Sequence, residues 1–102
     1  MLDGAEPQSL IRRRAGIGCV FVNDSAGEVI VQEVVHGGPA HLSGAISVGD
    51  VLEEVDGWRC GYQGAQEASR RVVGDAWSPV SLTIRSAEGN RQNVYLVRVR
   101  GA

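Results

Sequence analysis

The sequence predicts an α+β domain: a small, partly open β-barrel or sandwich of about five or six short strands, with one short and one longer α-helix. Three observations carry this. Short runs rich in β-branched residues recur between glycine-bearing turns. One later segment places its small and apolar residues on a single helical face. Another segment begins with proline and ends with glycine, the order that starts and stops a helix. No internal repeat or low-complexity stretch complicates the pattern.

Taken in order, residues 1–8 read as a loose leader or tag remnant and residues 9–102 as a single domain. Ser9 to Arg14 is expected to form a first strand. Gly16-Ile17-Gly18 is a turn, and Cys19 to Val22 is a short β-rich run closed by the Asn-Asp-Ser-Ala-Gly turn at 23–27. Val29 to Val35 is a second β-branched run, stopped by Gly37-Gly38-Pro39. Pro39 suits the first position of a short helix, PAHLSG, with Gly44 as its C-terminal cap. Asp50 to Val55 is a strand ending in the tight turn Asp56-Gly57, continued briefly by Trp58-Arg59-Cys60.

From about Gln63 to Val73 the pattern is helical, with Ala65, Ala68, Ser69, Val72 and Val73 on one face and Gln66, Glu67, Arg70 and Arg71 on the other. Glu67 can pair with Arg70 or Arg71 across one turn. Pro79 to Arg85 alternates, with Val80, Leu82 and Ile84 inward. After the turn at Ala87 to Asn90, Asn93 to Val99 returns as a strand, with Val94, Leu96 and Arg98 opposite Tyr95, Val97 and Val99.

The bulk numbers narrow the function. A chain of 102 residues, 43% hydrophobic, can bury a core without staples. The net charge of −2 argues against a dedicated nucleic-acid binder. All ten basic residues are arginine. Cys19 and Cys60 match no zinc spacing and are expected to be reduced and partly buried. No apolar run approaches the ~20 residues of a membrane span, so a membrane would be met only through a partner. No signal peptide is visible in the polar, acidic start, and a cytoplasmic setting is expected.

His36 and His41 are read as surface histidines, because a metal site needs more ligands than this. Asp50 and Asp56 are read as turn residues that accept backbone N–H groups. Glu53 and Glu54 are neighbours on a strand and so do not form a catalytic pair. Trp58 is read as partial core and Trp77 as a more exposed contact. No Ser/His/Asp or Cys/His set stands at plausible positions, so neither catalysis nor a cofactor is expected.

The sharpest question is RRRAGIGCVF, Arg12 to Phe21. Three arginines beside a glycine turn and a strand have two readings. The arginines sit in water, or the turn offers backbone N–H groups and nearby positive charge to an anion.

At GGPAHLSGAISVGDVLEEVDG, Gly37 to Gly57, the chain resembles the middle of a PDZ domain. A small-residue Pro-Ala segment, a short helix ending near Ser-Gly, a Val-Gly-Asp turn and a strand closed by Asp-Gly stand in the family's order. Gly16-Ile17-Gly18-Cys19 then falls where the family's carboxylate-binding loop belongs, and Gln63 to Val73 where its peptide-flanking helix belongs. The resemblance covers roughly residues 9 to 86.

The resemblance implies that the N–H groups of Ile17, Gly18 and Cys19 hold a terminal carboxylate, assisted by Arg12 or Arg13. The edge of Cys19, Val20, Phe21 and Val22 would pair with an incoming peptide. Ile17, Cys19, Phe21, Ser69 and Val72 would line the pocket for its last side chain, with Phe21 alternatively plain core. Two departures stand out. Ala65 occupies the place where many members have a histidine that reads Ser or Thr, which implies an apolar or unselective preference there. Ser69 stands where an aliphatic residue is usual and implies a roomier pocket. The expected partner is thus the C-terminal peptide of another protein, bound by a monomer.

Two alternatives stay open. The tail from Arg70 to Arg98 also resembles the PDZ segment of C-terminal processing proteases, which would make this a regulatory or substrate-binding piece of a larger enzyme. Such enzymes use a serine and a lysine in a separate domain, and this chain has no lysine. The other alternative is a domain that binds internal segments or another domain and never a free terminus.

Overall fold

The computed structural model describes residues 15–101; the strand expected over 9–14 lies outside them. Ten elements follow in order: β1 (Ala15–Gly16), β2 (Cys19–Asn23), β3 (Val29–Val34), α1 (Pro39–Ser43), β4 (Val51–Val55), β5 (Trp58–Arg59), α2 (Ala65–Val72), β6 (Pro79–Arg85), β7 (Arg91–Val97) and β8 (Val99–Arg100). One sheet runs β2-β3-β4-β6-β7 with β5 paired to β4, and a small second sheet joins β1 to β8. Every pairing is antiparallel. The large sheet is open and does not close into a barrel.

Local chemistry explains most boundaries. Pro39 opens α1, and Gly44 ends it in the left-handed conformation, φ 68°. Asp24 Oδ1 accepts the N–H groups of Ala26 and Glu28 and so shapes the turn after β2. Asp56 and Gly57 both have positive φ, the requirement of the tight β4–β5 hairpin. The β2–β3 register slips between Val20 and Phe21, and the β4–β6 register between Leu52 and Glu54. At that second slip the Glu53 carboxylate takes Arg85 Nε at 2.9 Å and Arg91 Nε at 2.6 Å, and Arg85 also pairs with Glu28. These hydrogen bonds hold the Glu53 carboxyl below the usual glutamate value of 4.5.

The core lies between the inner face of the sheet and α2. Val80, Leu82 and Ile84 point into it from β6, Leu52 and Val55 from β4, and Val29 and Val31 from β3. Ala65, Ala68 and Val72 supply the buried stripe of α2. Trp58 packs against this cluster, and the Arg71 guanidinium stands over its ring at 4.6 Å from the centroid. Trp77 is 75% exposed at a positive φ of 68°.

Arg98 continues the inward alternation of Val94 and Leu96 and is 7% exposed. Its Nε donates to the carbonyl of Val72 at 2.8 Å and its Nη2 to that of Arg71 at 3.0 Å. Its Nη1 donates to the Pro79 carbonyl at 3.0 Å and to Ser78 Oγ at 2.9 Å. One guanidinium thereby satisfies carbonyls that the last turn of α2 leaves open and ties that turn to the start of β6. A Cβ at Gly74 would sit 3.0 Å from this group, so a larger residue there would have to displace the guanidinium. Arg98→Met would leave three inward-facing carbonyls without a donor. We expect a stability loss of about 2–4 kcal/mol in urea unfolding; a loss within experimental error of zero would show that the clamp is dispensable.

Candidate functional site

The segment between β1 and β2 is built from backbone contacts. The Ile17 carbonyl accepts the Ala40 N–H at 2.9 Å and the Gly18 carbonyl accepts the Val35 N–H at 2.8 Å. A Cβ at Gly18, φ 75°, would stand 3.3 Å from the Cα of Gly38, so the turn lies backbone against backbone on the start of α1. With both carbonyls turned inward to these partners, the N–H groups of Ile17 and Gly18 have no acceptor among the described residues. On the other side, Ala15 exchanges hydrogen bonds with Gly74, both 3.0 Å, so the turn sits beside the end of α2.

β2 is the first strand of its sheet, paired with β3 on one side and with no described strand on the other. α2 packs along it. Of the residues expected to form the site, Gly16 lies in β1, Ile17 and Gly18 in the turn, Cys19, Val20 and Phe21 in β2, and Ala65, Ser69 and Val72 in α2. The fold brings these together at one edge. Arg12 and Arg13 lie outside the described residues.

Most of the expected pocket lining belongs to the hydrophobic core. Ile17, Phe21, Ala65 and Val72 are all buried, while Cys19 and Ser69 are half-buried and Val20 faces solvent. The Ser69 hydroxyl donates to the Ala65 carbonyl one turn back, 2.8 Å away. Two cavities, of about 510 and 460 Å³, lie elsewhere. One is walled by Ala45, Asp50 and Gln92, the other by Gly27, Glu53 and Tyr62, and neither touches β2 or α2.

Two structural residues of this region escape sequence reasoning to different degrees. Arg98 had a signal, since a charge at an inward position of an alternating strand needs partners. Asn23 had none: its Oδ1 accepts the Ala65 N–H at 2.9 Å from 42 positions earlier in the chain.

A family model described as the PDZ domain matches residues 8–85. The chain belongs to the PDZ family. PDZ domains are non-catalytic modules that bind peptides, and that is the role of this domain. The PDZ domain of a carboxy-terminal protease from Vibrio cholerae, in complex with peptide, is 26% identical, with a TM-score of 0.69 over 84% of this chain and 94% of that one. The photosystem II D1 C-terminal processing protease is 28% identical with a TM-score of 0.78; the match takes in 97% of this chain but 26% of the protease. An HtrA-type protease with a decapeptide, 18% identical over 91% of this chain and 32% of its own, shares the fold at a TM-score of 0.70. No curated protein sequence matches the chain significantly.

Within this PDZ domain both cysteines are free, and no group of three or more His, Cys, Asp or Glu among the described residues could hold a metal ion. His41 Nδ1 accepts the Gly37 N–H at 2.9 Å. Desolvation, with the nearby Asp50 charge second, pushes the Cys19 thiol up to about 11. Desolvation, followed by Glu54 and Glu53, pushes the Cys60 thiol to about 11 as well. The thiolate is the reactive form, so both should be poor nucleophiles at neutral pH. Alkylation by iodoacetamide at pH 7.5 should run on the order of a hundredfold slower than for an ordinary thiol and accelerate as pH approaches 11. Mass spectrometry of labelling against pH reads this; prompt labelling at neutral pH would contradict it.

Proposed function

We propose that this PDZ domain captures the extended C-terminal end of a partner protein. The chain end adds as a strand to the edge of β2 that pairs with no described strand, between it and α2. Its carboxylate is received by the N–H groups of Ile17, Gly18 and Cys19, with Arg12 or Arg13 supplying positive charge directly or through water. The recognition unit is residues 9–102, acting as a monomer. The observation that carries this reading is the turn itself. Its Ile17 and Gly18 carbonyls are taken by the protein while the Ile17 and Gly18 amides have no acceptor among the described residues, beside an edge of β2 that pairs with no described strand. The Vibrio cholerae relative, a PDZ domain with a bound peptide, supports the class of ligand.

A second reading has its own support. The match to the D1 processing protease spans nearly all of this chain and about a quarter of that one. The domain would then select or regulate substrates for a protease whose catalytic residues lie outside it. Capture of a chain end is common to both readings.

Affinity on the order of micromolar is expected, because a short strand buries little surface and must be ordered on binding. Screening random peptides with free C-termini provides the ligand. Amidating that ligand's terminus should weaken binding by about tenfold or more, and Arg12→Ala with Arg13→Ala should weaken the free-carboxylate form severalfold. Equal affinity for the acid and the amide by calorimetry would overturn the carboxylate reading and favour internal segments.

Ala65 has no side-chain acceptor, which fits an apolar or unselective ligand position two places before the terminus. Ala65→His should shift a peptide-array profile toward Ser or Thr at that place. An unchanged profile would mean that α2 does not face the ligand as drawn.

A further inference from the structure

The two ends of α2 are fastened very differently, and the groove it would form with β2 is shut. Ile17, Phe21, Ala65, Ala68 and Val72, from both walls, are at most 6% exposed. Cys19 and Ser69 keep partial exposure, but where Phe21, Ala65 and Ala68 are buried a peptide would pass between β2 and α2 only if the two separated. At its C-terminal end α2 is held by Arg98, through the carbonyls of both Arg71 and Val72, and by the paired Ala15–Gly74 backbone. The same guanidinium also grips Pro79 and Ser78, so that end is bound into the sheet.

At its N-terminal end, the position before the helix is Gly64, which has no side chain to cap it. The capping acceptor comes from across the groove: Asn23 Oδ1 takes the Ala65 N–H at 2.9 Å. Cys19, Phe21 and Asn23 alternate along β2, and Phe21 lies in the core beneath the helix, so Asn23 reaches from the groove side of the strand. This neutral hydrogen bond joins the far end of β2 to the near end of α2 at a partly solvated place. Just before the helix, the Gln63 N–H donates to the Gly27 carbonyl at 2.7 Å and holds the entering segment to the β2–β3 turn, so the Asn23 bond is the tie on the helix itself.

From this asymmetry we infer that Asn23 is a latch: the groove opens by release of the Asn23–Ala65 bond, and α2 swings about its Arg98-held end. The inference rests on the reading that β2 and α2 flank the ligand. A domain held shut by a latch binds with an affinity reduced by the fraction of open molecules. Removing a bond of this kind should enlarge that fraction by about fivefold.

The test uses the whole chain and a free-carboxylate peptide from the screen, beside its amidated twin. Asn23→Ala should bind the peptide about fivefold tighter, whereas Asn23→Asp, which keeps a charged and stronger acceptor for the Ala65 N–H, should bind no tighter than the wild type. Hydrogen exchange on the wild type gives a readout that needs no variant. Peptide should speed exchange at the Ala65 amide and leave Val73 and Gly74 protected. Folded Asn23→Ala that binds no tighter overturns the latch, as does an Ala65 amide that stays protected in the complex. If acid and amide bind alike while both latch results hold, the carboxylate reading fails and the latch stands. If the wild type binds no peptide, binding uncovered by Asn23→Ala supports the latch and continued silence overturns it.

Discussion

The buried guanidinium of Arg98 is the constraint around which the rest of the domain is arranged. A helix of eight residues cannot persist by its own propensity, and α2 depends on tertiary contacts at its apolar stripe and at its ends. Arg98 supplies the contact at one end. Its planar fork reaches two carbonyls of the helix and one of the following strand at once, which a lysine ammonium on a flexible stem would not reproduce. The charge remains in the interior because its donors find acceptors and because Asp56 Oδ2 lies 3.8 Å from Nη2. The position of α2 in turn decides what covers Phe21 and Ile17, and hence the shape of the whole β2 edge.

The turn at Gly16 to Cys19 inherits its place from the same arrangement. Ala15 is bonded to Gly74, two residues beyond the helix that Arg98 caps. Gly18 rests on Gly38, at the start of α1. Backbone pressed against backbone leaves no freedom to rotate the Ile17 and Gly18 peptides, whose carbonyls are already bonded to Ala40 and Val35. The direction of the Ile17 and Gly18 amides, which have no acceptor among the described residues, is thereby set by the fold. Preorganisation of this kind lowers the ordering cost of binding at the turn, while the closed strand–helix interface adds a cost of its own.

That opposition gives the edge a dual character. Most of the side chains that the proposed function assigns to a ligand's last residue belong to the core or pack against it. Under that proposal folding and recognition draw on one apolar surface, and the bond between Asn23 and Ala65 stands at its edge. The exposed ion-pair network of Glu28, Glu53, Arg85 and Arg91 takes no part in it. That network lies over the β4–β6–β7 surface and, being partly solvated, contributes little to stability.

Much of this was legible in the residue order. Proline and glycine placed α1, Asp56-Gly57 placed its hairpin, and alternation placed Val80, Leu82, Ile84, Val94 and Leu96 in the core, because these are local preferences of backbone and side chain. The ordered motifs from Gly37 to Gly57 identified the family. Tertiary structure alone decided the pairs that join distant positions: Asn23 with Ala65, Gly18 with Gly38, Arg98 with the end of α2. It also decided that Phe21 and Val72 are buried together, since whether a cleft between strand and helix stands open or shut depends on how both ends of the helix are anchored. No periodicity carries that information, because the anchoring groups lie tens of residues away and meet only when the chain has closed upon itself.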